Sequence, residues 1–148
     1  MLDIPEPYNE VTNNLSPILY NLPGKVVAID GKNGSGKTTL GRYLAWFYNV
    51  TLIETDLFRF QDNTKLKYKE EEIKNIIRYR LNSNRPVIIE GVALKDLLGK
   101  LEIVPEYTIY IENEAYERDD WLVDILKKYE EEQKPKESSN IVIELNVL

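Results

Sequence analysis

Residues 31–38 read Gly-Lys-Asn-Gly-Ser-Gly-Lys-Thr, and this stretch decides the fold. It matches the phosphate-binding loop pattern G-x-x-x-x-G-K-[ST]. An apolar run, Val-Val-Ala-Ile at 26–29, precedes it, and a helix-like run at 39–48 follows it. Because strand, loop and helix in this order form the context that the pattern requires, the sequence predicts a loop that binds the phosphates of a nucleoside triphosphate.

The residue types of this loop suit phosphate chemistry. Glycines let successive backbone N–H groups converge on an anion, and the following helix directs its unpaired N–H groups at the same point. We expect Lys37 to contact the β- and γ-phosphates as a catalytic charge, and the Thr38 hydroxyl to bind Mg²⁺. The residues predicted to bind the nucleotide are Gly31, Lys32, Asn33, Gly34, Ser35, Gly36, Lys37, Thr38 and Thr39.

Length and composition bound the remaining possibilities. The 148 residues suit a lead-in over 1–24, with a short helix near 14–20, followed by a single domain over 25–148. The sequence contains no cysteine, which excludes disulfides and thiolate metal sites, and no histidine, so a general base must be a carboxylate, a lysine or a tyrosine. No apolar run is long enough for a membrane span and no leader pattern begins the sequence, so we expect a cytoplasmic protein without a membrane partner.

Apolar segments and amphipathic segments alternate along the chain. Short runs rich in Val and Ile predict strands at 25–30, 50–54, 86–90, 107–111 and 140–145. The stretches between them show helical spacing, with one glycine-ended helix predicted at 93–99. This alternation is typical of an α/β three-layer fold with right-handed crossovers between parallel strands.

In such a sheet, ligands bind beyond the carboxyl ends of the strands. Asp56 follows the second predicted strand, and Glu90 ends the third. The fourth strand leads into a polar segment that contains Arg118. We therefore expect Asp56, Glu90 and Arg118 to lie at the same edge as the phosphate loop.

With these residues the chain resembles the small P-loop kinases, in particular the uridine kinase and nicotinamide riboside kinase group. The Asp-x-Phe segment that follows the second strand in that group is matched at 56–58, and the Glu-Gly strand end is matched at 90–91. Arg118 is the candidate for the arginine of the lid, and the resemblance covers roughly residues 25–120. The resemblance implies a five-stranded parallel sheet in the order 2-3-1-4-5.

The resemblance also implies an activity, which is transfer of the γ-phosphate of ATP to a hydroxyl of a small acceptor. Asp56 would accept the proton of that hydroxyl, and Lys37 and Arg118 would neutralise developing charge. Thr38, Glu90 and Asp56 are the candidates for Mg²⁺, while Asp56, Arg59 and Glu90 are those for the acceptor.

The distribution of charge bears on the acceptor. The net charge is −6, and residues 112–137 carry −5 of it. Residues 59–85 instead hold eight basic and four acidic residues, and Arg59 lies three positions after Asp56. This excess favours a nucleoside-like or phosphorylated acceptor, or else it is a solvated helix face. The overall negative charge argues against extended nucleic-acid binding, and the sequence specifies no oligomeric state.

Other classes of function remain open at this stage. A non-catalytic nucleotide-binding module, or a decayed kinase, would have the same loop, although such a module has no reason to retain Asp56. A kinase acting on nucleic-acid ends would have the same phosphate chemistry. A GTPase is suggested by residues 96–99, which match D-x-x-G but lie in a predicted helix, and no Asn-Lys-x-Asp element accompanies them.

Overall fold

The computed structural model describes residues 3–113 and 121–146. Within them, the strands are β1 (Val26–Gly31), β2 (Thr51–Glu54), β3 (Val87–Glu90), β4 (Tyr107–Glu112) and β5 (Ile141–Glu144). The α-helices are α1 (Glu6–Leu15), α2 (Lys37–Tyr48), α3 (Glu70–Asn82), α4 (Leu94–Lys100), α5 (Val123–Gln133) and α6 (Pro135–Ser138). A 3-10 helical turn, Thr55–Phe58, follows β2.

The strands form one parallel five-stranded sheet in the order β2-β3-β1-β4-β5. This confirms the α/β fold and the strand order implied by the resemblance. The five predicted strands are all present, and their ends differ from the predicted ones by no more than one residue. In the centre of the sheet, β1 is buried along its whole length, because helices cover both of its faces.

Side chains that alternate along the strands build two separate apolar layers. Val27 and Ile29 of β1 point into a layer with α1 and α2, whereas Val26 and Ala28 point into a layer with α3 and α4. The period of two along a strand explains this division. The helices are therefore held on both faces of the sheet, and the loops at its carboxyl edge are left free to form a site.

The N-terminal segment differs from its prediction. The sequence predicted a short helix near 14–20, which is wrong: the helix is α1, Glu6–Leu15, and residues 16–21 form turns. Pro5 and Pro7 fit the start of a helix, because the first helical N–H groups have no intrahelical partner. Tyr8, Val11 and Leu15 recur on one side of α1 and are buried in the apolar layer of α2, so this segment contributes to the core.

Three loops meet at the carboxyl edge of the sheet. The phosphate loop follows β1, the 3-10 turn follows β2, and Glu90 ends β3 in register with Ile29 and Glu54. Residues 58–69 then fold back on themselves, with Arg59 and Tyr68 paired in an antiparallel bridge. In the part of the chain that the structure describes, every helix is too short or too polar to cross a bilayer.

Candidate active site

The phosphate loop has a backbone that only glycine adopts readily. Gly31, Gly34 and Gly36 have φ angles of 156°, 81° and 106°. A Cβ on Gly31 would lie 2.7 Å from both the Ile111 carbonyl oxygen and the Ser35 Oγ. The loop thus turns tightly against the end of β4.

Lys37 begins α2 and folds back over this loop. Its Nζ donates a hydrogen bond of 2.7 Å to the carbonyl oxygen of Lys32, and the residue is only 6% exposed. Beneath it, the buried Ser35 Oγ has no hydrogen-bond partner within the described residues. Asn113, just after β4, donates to the Ser35 carbonyl at 3.5 Å. A glycine cradle, a held ammonium group and an unsatisfied hydroxyl fit the triphosphate of a nucleotide.

The two strongest candidates for Mg²⁺ are in direct contact. Thr38 Oγ1 donates a hydrogen bond of 2.9 Å to Glu90 Oε1. Glu90 is 2% exposed, and burial raises its pKa, while the Thr38 hydroxyl and the Lys37 charge oppose that rise. The end of β3 therefore places a buried carboxylate beside the first turn of α2, although these residues lie far apart in sequence.

Asp56 occupies the 3-10 turn after β2 and is exposed. Its negative charge contributes to the raised pKa of Glu90, so the two carboxylates act on each other electrostatically. Within the described residues, no group of three or more carboxylates could hold a metal ion unaided. Since Mg²⁺ is commonly bound through one or two protein ligands together with phosphate oxygens, this arrangement fits a Mg²⁺·nucleotide complex.

Arg59 lies beside this edge, within the folded-back segment. Its guanidinium carbon is 5.0 Å from the centre of the Trp121 ring, a cation–π distance. The interaction joins residues 58–69 to the region before α5. Arg118, the predicted arginine of the lid, lies outside the described residues.

Asp30 is a site residue that sequence reasoning missed. It is 1% exposed, and its Oδ1 accepts a hydrogen bond of 2.8 Å from the Gly31 amide. Its Oδ2 accepts a hydrogen bond from the hydroxyl of Tyr129, on α5. Burial raises the pKa of Asp30 to about 6, and the donors and Lys37 limit the rise. The available signal was an acidic residue at the end of an otherwise apolar strand, directly before the loop.

The known sequences that are similar to this chain match only part of it. No family model matches this chain. A probable ATP-dependent transporter, ycf16, from Antithamnion sp. is 36% identical over 99 residues, which span 66% of this chain and 37% of that protein. A putative ABC transporter ATP-binding protein from Onion yellows phytoplasma (strain OY-M) is 38% identical over 94 residues, 61% of this chain and 15% of that one. The chain thus covers well under half the length of these curated relatives.

Solved structures match this chain over more of its length than the curated sequences do. A possible uridine kinase from Bacillus stearothermophilus superposes with a TM-score of 0.64 at 16% identity, over 94% of this chain and all of that one. A gluconokinase from Sinorhizobium meliloti gives 0.56 at 19% identity, over 86% and 85% of the two chains. The shikimate kinase of Acinetobacter baumannii gives 0.52 at 18% identity, over 90% and 89%. The chain therefore has the fold of the small P-loop kinases.

Proposed function

We propose that this protein transfers the γ-phosphoryl group of Mg²⁺·ATP to a hydroxyl of a small nucleoside-like or phosphorylated acceptor. The observation that carries the proposal is the contact between Thr38 and Glu90 beside the phosphate loop. A loop alone binds a nucleotide, whereas a hydroxyl and a buried carboxylate in contact beside it form a place for the metal that phosphoryl transfer needs. A cytoplasmic location, as the sequence predicts, agrees with the use of ATP.

Each residue has a distinct part in this proposal. The loop amides and Lys37 would bind the phosphates, Thr38 would hold Mg²⁺ directly, and Glu90 would hold water molecules around the ion. The metal, when bound, neutralises phosphate charge. The Thr38 hydroxyl would hold the ion through an oxygen lone pair and could keep donating its proton to Glu90.

Asp56 is the base in this reaction. It accepts the proton of the acceptor hydroxyl while that oxygen forms its bond to the γ-phosphorus, and the bond from phosphorus to the bridging oxygen breaks to release ADP. Lys37 and Arg118 neutralise the charge on the transferred oxygens. Exposure of Asp56 at the sheet edge supports this role, because an acceptor must be able to reach it.

The acceptor side is assigned to residues 56–69 and Trp121. Arg59 provides a positive charge within three residues of Asp56, and the Trp121 ring provides an apolar face against it. A planar guanidinium can bind phosphate oxygens in pairs, while an aromatic ring suits a base or a sugar face. Both features favour a nucleoside-like or phosphorylated small molecule.

A second candidate is nucleotide binding or hydrolysis without an acceptor. The names of the two curated relatives, an ATP-dependent transporter and an ABC transporter ATP-binding protein, favour it. In that case the loop and the contact between Thr38 and Glu90 would serve the same phosphates, and Asp56 would have no proton to accept.

The deciding experiment incubates the purified chain with ATP or GTP, Mg²⁺ and panels of acceptors, and follows products by mass spectrometry. The panels contain nucleosides, sugars and other small alcohols, phosphorylated metabolites, and oligonucleotides with a 5′-hydroxyl. Gain of one phosphate by a small molecule supports the proposal, with Asp56→Asn as the inactive control. Formation of ADP without any phosphorylated acceptor would favour hydrolysis, and ATP binding without turnover would favour the non-catalytic module.

A further inference from the structure

A chain of hydrogen bonds links α5 to the first residue of the phosphate loop. The Tyr129 hydroxyl donates to Asp30 Oδ2, and Asp30 Oδ1 accepts from the Gly31 amide at 2.8 Å. The same hydroxyl accepts from the Lys95 amide, in the first turn of α4, at 3.0 Å. Tyr129 and Asp30 are 99 positions apart in sequence, and both are almost fully buried.

This link determines how the loop begins. The Gly31 amide donates its hydrogen bond to Asp30, so it is not available to a phosphate. A Cβ on Gly31 would lie 2.7 Å from the Ile111 carbonyl oxygen, so this residue lies close to the end of β4 as well as to Asp30. Because each peptide is rigid, a rotation of this first plane would move the loop amides that follow unless their φ and ψ angles compensate.

The carboxylate itself depends on Tyr129. Burial disfavours the charged form of Asp30, and each donor that reaches it offsets part of that cost. The groups that act on the carboxylate are the Tyr129 hydroxyl, the amides of Gly31 and Leu94, and the Lys37 charge. Among the described residues, Tyr129 is the one side chain that donates a hydrogen bond to Asp30, so removing its hydroxyl leaves a buried carboxylate oxygen short of a partner.

We propose that Asp30 and Tyr129 are positioning residues for nucleotide binding, with Tyr129 holding Asp30 and Asp30 holding the first peptide of the phosphate loop. The proposal rests on the proposed binding of ATP at that loop. It makes nucleotide affinity sensitive to α5, the helix that follows the segment containing Arg118. If binding of the acceptor moves α5, the Tyr129 hydroxyl would transmit that movement to the phosphate loop through Asp30.

The alternative is that Tyr129 only stabilises the fold. The chain offers a matched control, because Tyr110 on β4 also donates from a buried phenol to a carboxylate, Glu130 Oε1, at 2.6 Å. Glu130 lies next to Tyr129 on α5, and this bond joins the helix to β4 rather than to the loop. Tyr110→Phe therefore loosens the same helix by one hydrogen bond and leaves the path from Tyr129 to Gly31 intact.

The test measures ATP affinity by calorimetry and thermal unfolding for the wild type, Tyr129→Phe, Tyr110→Phe, Asp30→Asn and the Tyr129→Phe/Asp30→Asn pair. We expect Tyr129→Phe to weaken ATP binding about tenfold, the scale of a hydrogen bond to a charged group. Tyr110→Phe should lower the melting temperature comparably and change ATP affinity by less than about twofold. In the Asp30→Asn background, Tyr129→Phe should have a much smaller effect on affinity, because the two residues act in series.

Equal ATP affinity in Tyr129→Phe and Tyr110→Phe would overturn the positioning role, as would full additivity in the double variant. If the wild type itself fails to bind ATP, the proposed function is wrong, which is a different result. Amide hydrogen exchange at Gly31 in the folded wild type tests the link without any substitution. Slow exchange is expected, and exchange as fast as in an open loop would overturn the proposal even if the variants do not fold.

Discussion

At the scale of single residues, Lys37 is held in place before any nucleotide arrives. Its ammonium group lies against the Lys32 carbonyl oxygen, and its stem is buried. We expect Lys37→Ala to weaken Mg²⁺·ATP binding by roughly 1.5–3 kcal/mol, the scale of a charge-assisted contact. Isothermal calorimetry measures this, with Lys100→Ala, at the exposed end of α4, as the control. Unchanged affinity in Lys37→Ala would remove the basis for the phosphate loop assignment.

Asp56 is the residue that separates an enzyme from a binding module. Asp56→Asn retains the shape and removes the base, so the turnover of an identified acceptor should fall on the order of 10²–10⁴-fold, while ATP affinity barely changes. Asp62→Asn is the matched control, because Asp62 is an exposed residue of the same segment that binds Thr64 in a turn. If both variants turn over acceptor at the wild-type rate, the proton is accepted elsewhere.

Substitution of Arg59 tests whether its positive charge contributes to binding of the acceptor. Its guanidinium lies against Trp121, so it can meet an acceptor only from its other face or after leaving the ring. We expect Arg59→Ala to raise the KM of a phosphorylated acceptor and to weaken the salt dependence of that KM, with ATP affinity unchanged. Arg78→Ala, an exposed change on α3, provides the control. Salt-independent acceptor kinetics in the wild type would leave the basic residues of 59–85 as a solvated surface.

At the scale of elements, the junction after β3 is unusually close to the turn after β2. A Cβ on Gly91 would lie 2.0 Å from Thr55 Oγ1, and that oxygen belongs to a buried residue. We expect Gly91→Ala to destabilise the fold by about 1–3 kcal/mol, the usual cost of overpacking, and to displace Asp56 or Glu90. Urea unfolding measures the change in free energy.

Gly99, in α4, has the space for a methyl group that Gly91 lacks. Among the described residues, a Cβ on Gly99 would meet no atom within 4 Å other than those of its chain neighbours and the backbone of its own helix, α4. Gly99→Ala should therefore stabilise the protein, by up to about 1 kcal/mol, through the higher helix propensity of alanine. If Gly91→Ala and Gly99→Ala destabilise the protein by similar amounts, the close approach of Gly91 to Thr55 is not the reason that position 91 needs a glycine.

The elements differ in how well their sequences predict them. Each strand is a short apolar run, and β1 is followed by a loop whose glycines have a defined conformational role, so strands and loop were predicted with nearly their observed bounds. The position of α1 was not, since the helix was predicted near residues 14–20, whereas Pro5 and Pro7 are compatible with the start of a helix at Glu6. The link from Tyr129 to Asp30 could not be predicted, since it joins side chains 99 residues apart that only the packing of α5 brings together.

At the scale of the whole molecule, the buried Asp30 makes stability depend on pH. Its pKa is raised from 3.8 to about 6 in the folded protein, so between these values the folded state binds more protons than the unfolded state. Protonated Asp30 therefore makes its full contribution to the free energy of unfolding below about pH 4, and this contribution is lost as the pH rises to about 6. The loss is on the order of 2–3 kcal/mol, at about 1.4 kcal/mol per pKa unit.

Asp30→Asn should abolish this component. Urea unfolding of both proteins between pH 4 and pH 7 measures it, as the difference between their free energies of unfolding at each pH. The wild type should lose stability relative to Asp30→Asn as the pH rises, because the other carboxylates are common to both. A constant difference across this range would mean that Asp30 titrates as an ordinary exposed carboxylate.

The strand order has a consequence for synthesis of the chain. Of the five strands of this sheet, β1 is synthesised first and becomes the central strand, yet its partners β3 and β4 begin only at Val87 and Tyr107. Until β3 has emerged, the apolar segment that includes Val26–Gly31 has neither edge paired, and one edge stays unpaired until β4 has emerged. The nascent chain must keep this segment from associating with other chains. The phosphate loop is thus synthesised before β4, the strand whose end lies against its first residue.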